Sequence, residues 1–272
     1  MPSPAAITVS QLSRLIGTPA VPVLIDLRVD EDFNEDPRSI PSSFRYSFSS
    51  LDTLIPELAS QYVVVICHKG KKISQGAAAV LREAGIHAEF LQGGHVAWSD
   101  ANQALVSTVD LESYNRGRTT WVTRHRPKID RIACPWLIKR FIDPKAVFLY
   151  VEPSEVLAVA EKFNAIAFDV ENSFYSHRAE LCTFDVMLNE FQLETEPLMH
   201  MATIIRGADT GHHELAAQSS GLLAVSLGFS RMYKNDLVQL EACLPLYDAL
   251  YRWCRDATDE KHDKSMHYRR GK

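Results

Sequence analysis

Val63-Val64-Val65-Ile66-Cys67-His68-Lys69-Gly70-Lys71-Lys72 holds the clearest structural signal in the first half of the chain. Preceded by Tyr62, its β-branched run shows no polar alternation, the pattern of a strand buried on both faces of a covered sheet. The residues that follow, from Gln75 to Gly85, are rich in Ala and Leu and predict a helix with Gly85 as its C-cap. Ala88-Glu89-Phe90-Leu91 reads as the next strand, stopped by Gly93-Gly94, and Val21-Pro22-Val23-Leu24-Ile25-Asp26 as an earlier one. Strand, helix and strand at this spacing form a βαβ unit, which requires parallel pairing. The expected fold class is α/β, a parallel sheet flanked by helices, followed by a mostly helical α+β second domain.

The chemistry of this stretch centres on Cys67. A cysteine at the C-terminal end of a buried parallel strand lies where α/β sheets place their ligands. The loop after it leads into a helix whose first N–H groups and positive dipole end favour a thiolate. Lys69, Lys71 and Lys72 add cationic field, and Gly70 permits a tight backbone turn. A thiolate is the nucleophilic form of cysteine, so these features suit attack on a sulfane sulfur and storage of a persulfide. A small buried hydrophobe is the ordinary role of a strand-end cysteine. The glycine, the three lysines and the helix together favour the chemical role.

The chain has 272 residues, enough for two domains of ordinary size, with 46% hydrophobic and 23% charged residues and a formal net charge of -5. That charge gives no electrostatic case for nucleic acid or for an anionic membrane surface. No apolar run approaches the roughly 20 residues a spanning helix needs. No signal peptide is expected from the first residues. The five scattered cysteines, Cys67, Cys134, Cys182, Cys243 and Cys254, lack the short spacing of a zinc knuckle. Reduced thiols and a cytoplasmic location are the expectation.

Residues 1–105 are expected to form the first domain, 106–120 a linker, 121–257 the second domain and 258–272 a basic tail. In the second half, Ile129, Ile132, Ala133, Trp136, Leu137 and Phe141 fall at helical spacing, closed by Asp143-Pro144. Short strands are expected at 147–150 and 166–168, and helices at 198–205, 222–227 and 237–253, the last bent near Pro245. Asp130, Arg131 and Cys134 share the start of the first of these helices. His177, Glu180, Cys182 and Asp185 crowd into one short segment, and Asp209 ends a later helix. His177, Asp209, Glu180 and Asp185 offer mixed nitrogen and oxygen donors to a divalent first-row metal. Ion pairing and helix capping are the competing use of the same residues.

The first half resembles the rhodanese family in four motifs that occur in the family's order. They are Leu24-Ile25-Asp26-Leu27-Arg28, Ile40-Pro41, the loop from Cys67 to Lys72, and Leu91-Gln92-Gly93-Gly94-His95-Val96-Ala97-Trp98. The resemblance implies that Cys67 carries sulfur, that the amides of His68, Lys69, Gly70, Lys71, Lys72 and Ile73 cradle it, and that Asp26 and Arg28 are structural. It implies a small-molecule or protein sulfur donor, a thiol acceptor and no cofactor for sulfur transfer. Lys72 and Ile73 stand where the family usually has Arg then Ser. A lysine offers charge without the bidentate fork that grips thiosulfate, which argues for another persulfide donor. The loop is also shorter than that of the related phosphatases.

The second half, from Trp121 to Arg255, is similar to the C-terminal domain of the chromate-resistance B proteins. Lys128-Ile129-Asp130-Arg131-Ile132-Ala133-Cys134-Pro135-Trp136 and Arg206-Gly207-Ala208-Asp209 carry the likeness. The pairing implies a cytoplasmic sulfurtransferase coupled to a metal-binding domain in chromate resistance. The alternative is a redox or metal sensor, or an accessory regulator, acting through a partner protein. The sequence leaves the oligomeric state open.

Overall fold

The computed structural model describes residues 5–107 and 118–260. Two parallel sheets organise the chain. The first has five strands in the order β1-β5-β4-β2-β3: β1 (Ala6–Ile7), β2 (Val23–Asp26), β3 (Ser43–Arg45), β4 (Tyr62–Ile66) and β5 (His87–Leu91). Every pairing is parallel, as the βαβ spacing requires. Helices α1 (Val9–Leu15), α2 (Asp30–Glu35), α3 (Lys72–Glu83) and α4 (Gly94–Asp100) accompany it.

β4 lies in the middle of this sheet, and successive side chains go to opposite faces. Val63 and Val65 join Ile25, Leu27, Ala77, Ala78 and Leu81 in the core beneath α3. Val64 and Ile66 join Leu24, Leu91, Leu12 and Trp98 on the other face. Both faces are covered, which is why the sequence shows no polar alternation there. Helix α3 begins at Lys72, three residues before the Ala-rich stretch. Gly85 follows the C-cap Ala84 in a left-handed conformation, with its own amide bonded to Arg82 O and that of Ile86 to Leu81 O. This is a Schellman ending whose cap is Ala84, one residue before the expected Gly85, which takes the left-handed position after it.

The second sheet has three strands in the order β7-β6-β8: β6 (Thr120–Arg124), β7 (Val147–Val151) and β8 (Ile166–Ala167), all parallel. α5 (Asp130–Leu137) continues as a π-helical turn over Ile138–Ile142, and α6 (Val156–Phe163) follows β7. Then come α7 (Thr183–Glu190), α8 (Glu196–Asp209), α9 (Ser219–Met232) and α10 (Asp236–Asp256). The expected mostly helical second half is present, and its small sheet is parallel with β6 at the centre. β6 was not anticipated: only Trp121 and Val122 are large apolar residues in it, and they abut a polar stretch.

The ends of that polar stretch are packed. Val106 is buried and bridges Ser39 in antiparallel pairing. Thr119 is buried, with its amide and hydroxyl both donating to Asp143 Oδ2 at 2.6 and 2.7 Å. The rest of the expected linker, 108–117, and most of the expected tail, 261–272, lie outside the described residues.

One core joins the two halves. Leu24, Val64, Ile66 and Trp98 belong to the same buried cluster as Trp136, Phe141 and Tyr251. Ser42 donates from its amide to Phe141 O at 2.8 Å and from its hydroxyl to Arg140 O at 2.7 Å. Gly17 is pressed so close that an added Cβ would sit 2.5 Å from Phe141 Cζ and 2.7 Å from Tyr251 Cε1.

Candidate functional sites

Cys67 is the first residue after β4, at the C-terminal edge of the parallel sheet. It is 5% exposed, and its Sγ lies 3.1 Å from Ser74 Oγ in the first turn of α3. Among the described residues, none accepts a hydrogen bond from the amides of His68, Lys69, Gly70, Lys71 or Lys72. The first turn of α3 carries no acidic side chain to occupy the positive end of its dipole. Successive unsatisfied amides in a tight loop are available to an anion. Lys69, Lys71 and Lys72 are exposed, so their charges reach the sulfur through solvent. Lys72 and Ile73 border an open cavity of about 640 Å³ that Val29, Phe48, Leu51 and Val80 also line.

The loop is held from behind by the turn that opens α4. His95 N donates to Cys67 O and Val96 N to His68 O, each at 3.0 Å. Gly94 has a φ of +63°, and a Cβ there would collide with Cys67 O and Gly70 N. Only glycine meets both demands without strain. His95 itself is buried, with Nε2 3.2 Å from Arg38 O. Burial first, and then the charge of Arg28, hold its imidazole pKa below the ordinary value against the pull of Asp26 and Asp36. Arg28 grips Asp26 with Nε and Nη2 and donates to the carbonyls of Asp36 and Arg38. Both partners of this pair are buried, which ties β2 to the segment carrying Ser39 and Ile40.

A second cluster forms in the C-terminal half. His177 Nε2 lies 3.2 Å from Asp209 Oδ2, 3.4 Å from Asp169 Oδ1 and 3.5 Å from Asp130 Oδ2. Asp130 starts α5 and is fully buried; its Oδ2 accepts the amides of Thr183 and Phe184 at the start of α7, at 2.5 and 3.3 Å. Its Oδ1 is buried without a hydrogen-bond partner. Asp169 follows β8 and takes Thr183 Oγ1 at 2.9 Å, Arg124 Nη2 at 3.0 Å and Arg131 Nε at 3.2 Å. Ile129 and Asp169 both have positive φ, of 40° and 53°. A β-branched residue such as Ile129 rarely adopts that conformation, so the backbone is strained where it delivers Asp130.

The electrostatics follow from this convergence. Burial pushes the Asp130 pKa upward despite the hydrogen bond to His177. Hydrogen bonds to Asp130, Asp169 and Asp209 push His177 up to about 12. Burial acts to raise Asp169, but His177, Arg131 and Arg124 outweigh it and hold that carboxyl below its usual range.

Of the expected metal ligands, His177 and Asp209 therefore meet, and Asp130 is with them. Glu180 and Asp185 do not join. Glu180 is exposed in the turn closed by the Arg178–Leu181 pairing. Asp185 is spent on the Cys182 amide, as the far half of a capping box, and on Arg206 at 2.8 Å. Cys134 and Cys182 are fully buried, and burial pushes both thiols well above the ordinary value. Arg131 pairs with Asp169 and donates to His125 O. Asp169, Arg124 and Ser74 were missed. Arg124 and Asp169 sit just at or beyond the C-terminal ends of adjacent strands β6 and β8, the edge where parallel sheets assemble sites.

Comparison with known proteins agrees with these two halves. A family model described as a rhodanese-like domain matches residues 8–101, and one described as the ChrB C-terminal domain matches 121–254. Protein ChrB of Cupriavidus metallidurans is 35% identical over 132 residues, 48% of this chain and 39% of that protein. The chain thus spans about two fifths of the length of that relative. Among solved structures, a rhodanese-related protein from Thermoplasma volcanium is 22% identical, over 37% of this chain and 96% of the other, with a TM-score of 0.33. A rhodanese-like domain protein from Staphylococcus aureus is 23% identical, over 34% and 89%, with a TM-score of 0.30. No helix among the described residues is long and apolar enough to cross a membrane. The chain is thus similar to rhodanese-like domains over residues 8–101 and to the ChrB C-terminal domain over residues 121–254.

Proposed function

We propose that this protein is a sulfurtransferase that carries sulfane sulfur on Cys67 as a persulfide, in the service of chromate resistance. The observation that carries the reading is the placement of Cys67 at the end of β4, followed by a loop whose amides have no acceptor among the described residues. In the first half-reaction the Cys67 thiolate attacks the outer sulfur of a donor. A sulfur–sulfur bond forms to Cys67, and the donor leaves with the electron pair of its broken bond, as sulfite if the donor is thiosulfate. In the second, an acceptor nucleophile such as a thiolate or cyanide attacks the outer sulfur, and Cys67 departs as thiolate. No net oxidant is needed, and the loop amides and α3 receive negative charge at both stages.

Lys72 in place of an arginine favours a polysulfide or protein persulfide donor over thiosulfate, because it presents a point charge rather than a planar fork. The five free cysteines suit the reducing cytoplasm. The link to chromate rests on the likeness of the second half to ChrB: sulfane sulfur passed from Cys67 to an acceptor thiolate would form a persulfide, itself a reductant that an oxidant such as chromate can consume. The test is cyanide-dependent thiocyanate formation with thiosulfate and with polysulfide as donors. Wild-type turnover that disappears in Cys67→Ser supports the reading; full turnover in that variant refutes it. Loss of chromate tolerance in cells lacking the protein, restored by wild type and not by Cys67→Ser, supports the biological link.

A further inference from the structure

We propose that Asp130, Asp209 and His177 bind a divalent first-row metal cation, with Asp169 beside them, at the edge of the cavity that Arg124, Asp169, Val170 and His177 line. This site is separate from Cys67 and stands whether or not Cys67 transfers sulfur.

The geometry requires more positive charge at this point than the side chains arrange well. Three carboxylates converge within 3.5 Å of one nitrogen, His177 Nε2. That nitrogen can hold one proton, and one N–H directs one strong hydrogen bond, not three. A metal ion has no such limit. Bonds of about 2.1 Å to nitrogen and oxygen ligands leave neighbouring donor atoms roughly 3.0 to 3.4 Å apart, close to the separations seen here. One ligand atom from each of Asp130, His177 and Asp209 lies within 4.8 Å of the others.

The buried oxygen of Asp130 is the independent sign. Asp130 is 0% exposed, and its Oδ1 has no hydrogen-bond partner. An ionised carboxylate so placed is costly unless it is paired or coordinates a cation. Its companion Oδ2 is fixed by two amides of α7, so the carboxylate is oriented before any ligand arrives. Arg124 and Arg131 do not relieve it, because both are paired with the Asp169 Oδ2. With those two arginines set against three aspartates, a neutral imidazole leaves the centre one positive charge short of balance.

The donor set selects the class of metal. Two or three carboxylates and one imidazole suit a borderline divalent ion such as Mn²⁺, Fe²⁺ or Zn²⁺, while the absence of sulfur from the set disfavours Cu⁺. His177 is half-exposed on a cavity of about 510 Å³, so positions on that side of the ion remain open to water or a small ligand. Leu157, Val156 and Val170 make part of that wall apolar. An open coordination face distinguishes a reactive or sensing site from a purely structural one.

The full chain, stripped with chelator, is titrated calorimetrically with Mn²⁺, anaerobic Fe²⁺ and Zn²⁺ in turn, with metal content measured after desalting. At least one of the three is expected to bind at one equivalent per chain and to raise the melting temperature. His177→Ala and Asp209→Asn should each weaken that binding by at least about tenfold, the loss seen even for outer partners of ligands. Glu180→Gln should leave it unchanged. Asp209→Asn is the safeguard for folding, since Asp209 is partly exposed and retains its shape as asparagine. No stoichiometric binding of any of the three ions, or undiminished binding in folded His177→Ala and Asp209→Asn, overturns the proposal.

Discussion

Ser74 Oγ lies 3.1 Å from Cys67 Sγ, across the loop that separates β4 from α3. The hydroxyl is buried in the first turn of the helix, and its single proton can be donated to a sulfur anion in preference to the longer bond to Lys71 O at 3.4 Å. A hydrogen bond to a charged group contributes about 1.5–3 kcal/mol. Ser74→Ala is therefore expected to lower kcat for thiocyanate formation by roughly ten- to a hundredfold with little change in the KM for cyanide. Steady-state kinetics check this, and an unchanged kcat would show that Ser74 only packs.

Gly94 controls the same loop from the opposite side. An alanine there takes on the cost of a left-handed conformation, about 1–2 kcal/mol, and drives its Cβ into Cys67 O and Gly70 N. Gly94→Ala should lose sulfur transfer while the far-UV circular dichroism of the remaining fold persists. Equal turnover in this variant would mean that the loop tolerates a shape different from the one described.

Acid should weaken the protein through His95. Burial and Arg28 hold its imidazole neutral to a lower pH than in the unfolded chain, where it gains a proton near about pH 6.5. Below that pH the unfolded state binds more protons than the folded state, so stability falls as pH drops through the window down to the folded pKa. Urea midpoints measured between about pH 7 and 5 should decline less steeply for His95→Gln than for wild type. Parallel declines would assign the acid sensitivity elsewhere.

The shared core predicts cooperative unfolding. Phe141 touches Gly17 from one half and Tyr251 from the other. Phe141→Ala should cost about 3–5 kcal/mol and shift a single calorimetric transition for the whole chain. Two resolved transitions, with only the later residues affected by the substitution, would contradict a common core.

The first half was legible because its information is local. The β4 run, the loop and the α3 pattern are contiguous, and α/β geometry places a strand-end residue such as Cys67 at the functional edge without knowledge of any distant contact. Ser74 escaped because the helix was expected to start at Gln75, where the alanines begin, and its true start at Lys72 puts Ser74 in the first turn. The second site is a long-range construction. Asp130, His177 and Asp209 stood out by residue type, but Asp169 has no telling neighbours in sequence and reaches the cluster only because β8 pairs with β6. Glu180 drew attention by its nearness to His177 along the chain, and the Arg178–Leu181 turn leaves it in solvent. Asp185 was claimed by Arg206, on another helix, which no spacing rule reveals.

The most direct test of the sulfur-carrying role is intact-mass and peptide mass spectrometry of the purified protein after brief exposure to polysulfide, followed by alkylation of free thiols. One added sulfur atom is expected on the peptide containing Cys67, removed by cyanide with matching release of thiocyanate, and no such adduct on the buried Cys134 or Cys182. An unmodified Cys67 under conditions that load small-molecule thiols with sulfur would contradict that role.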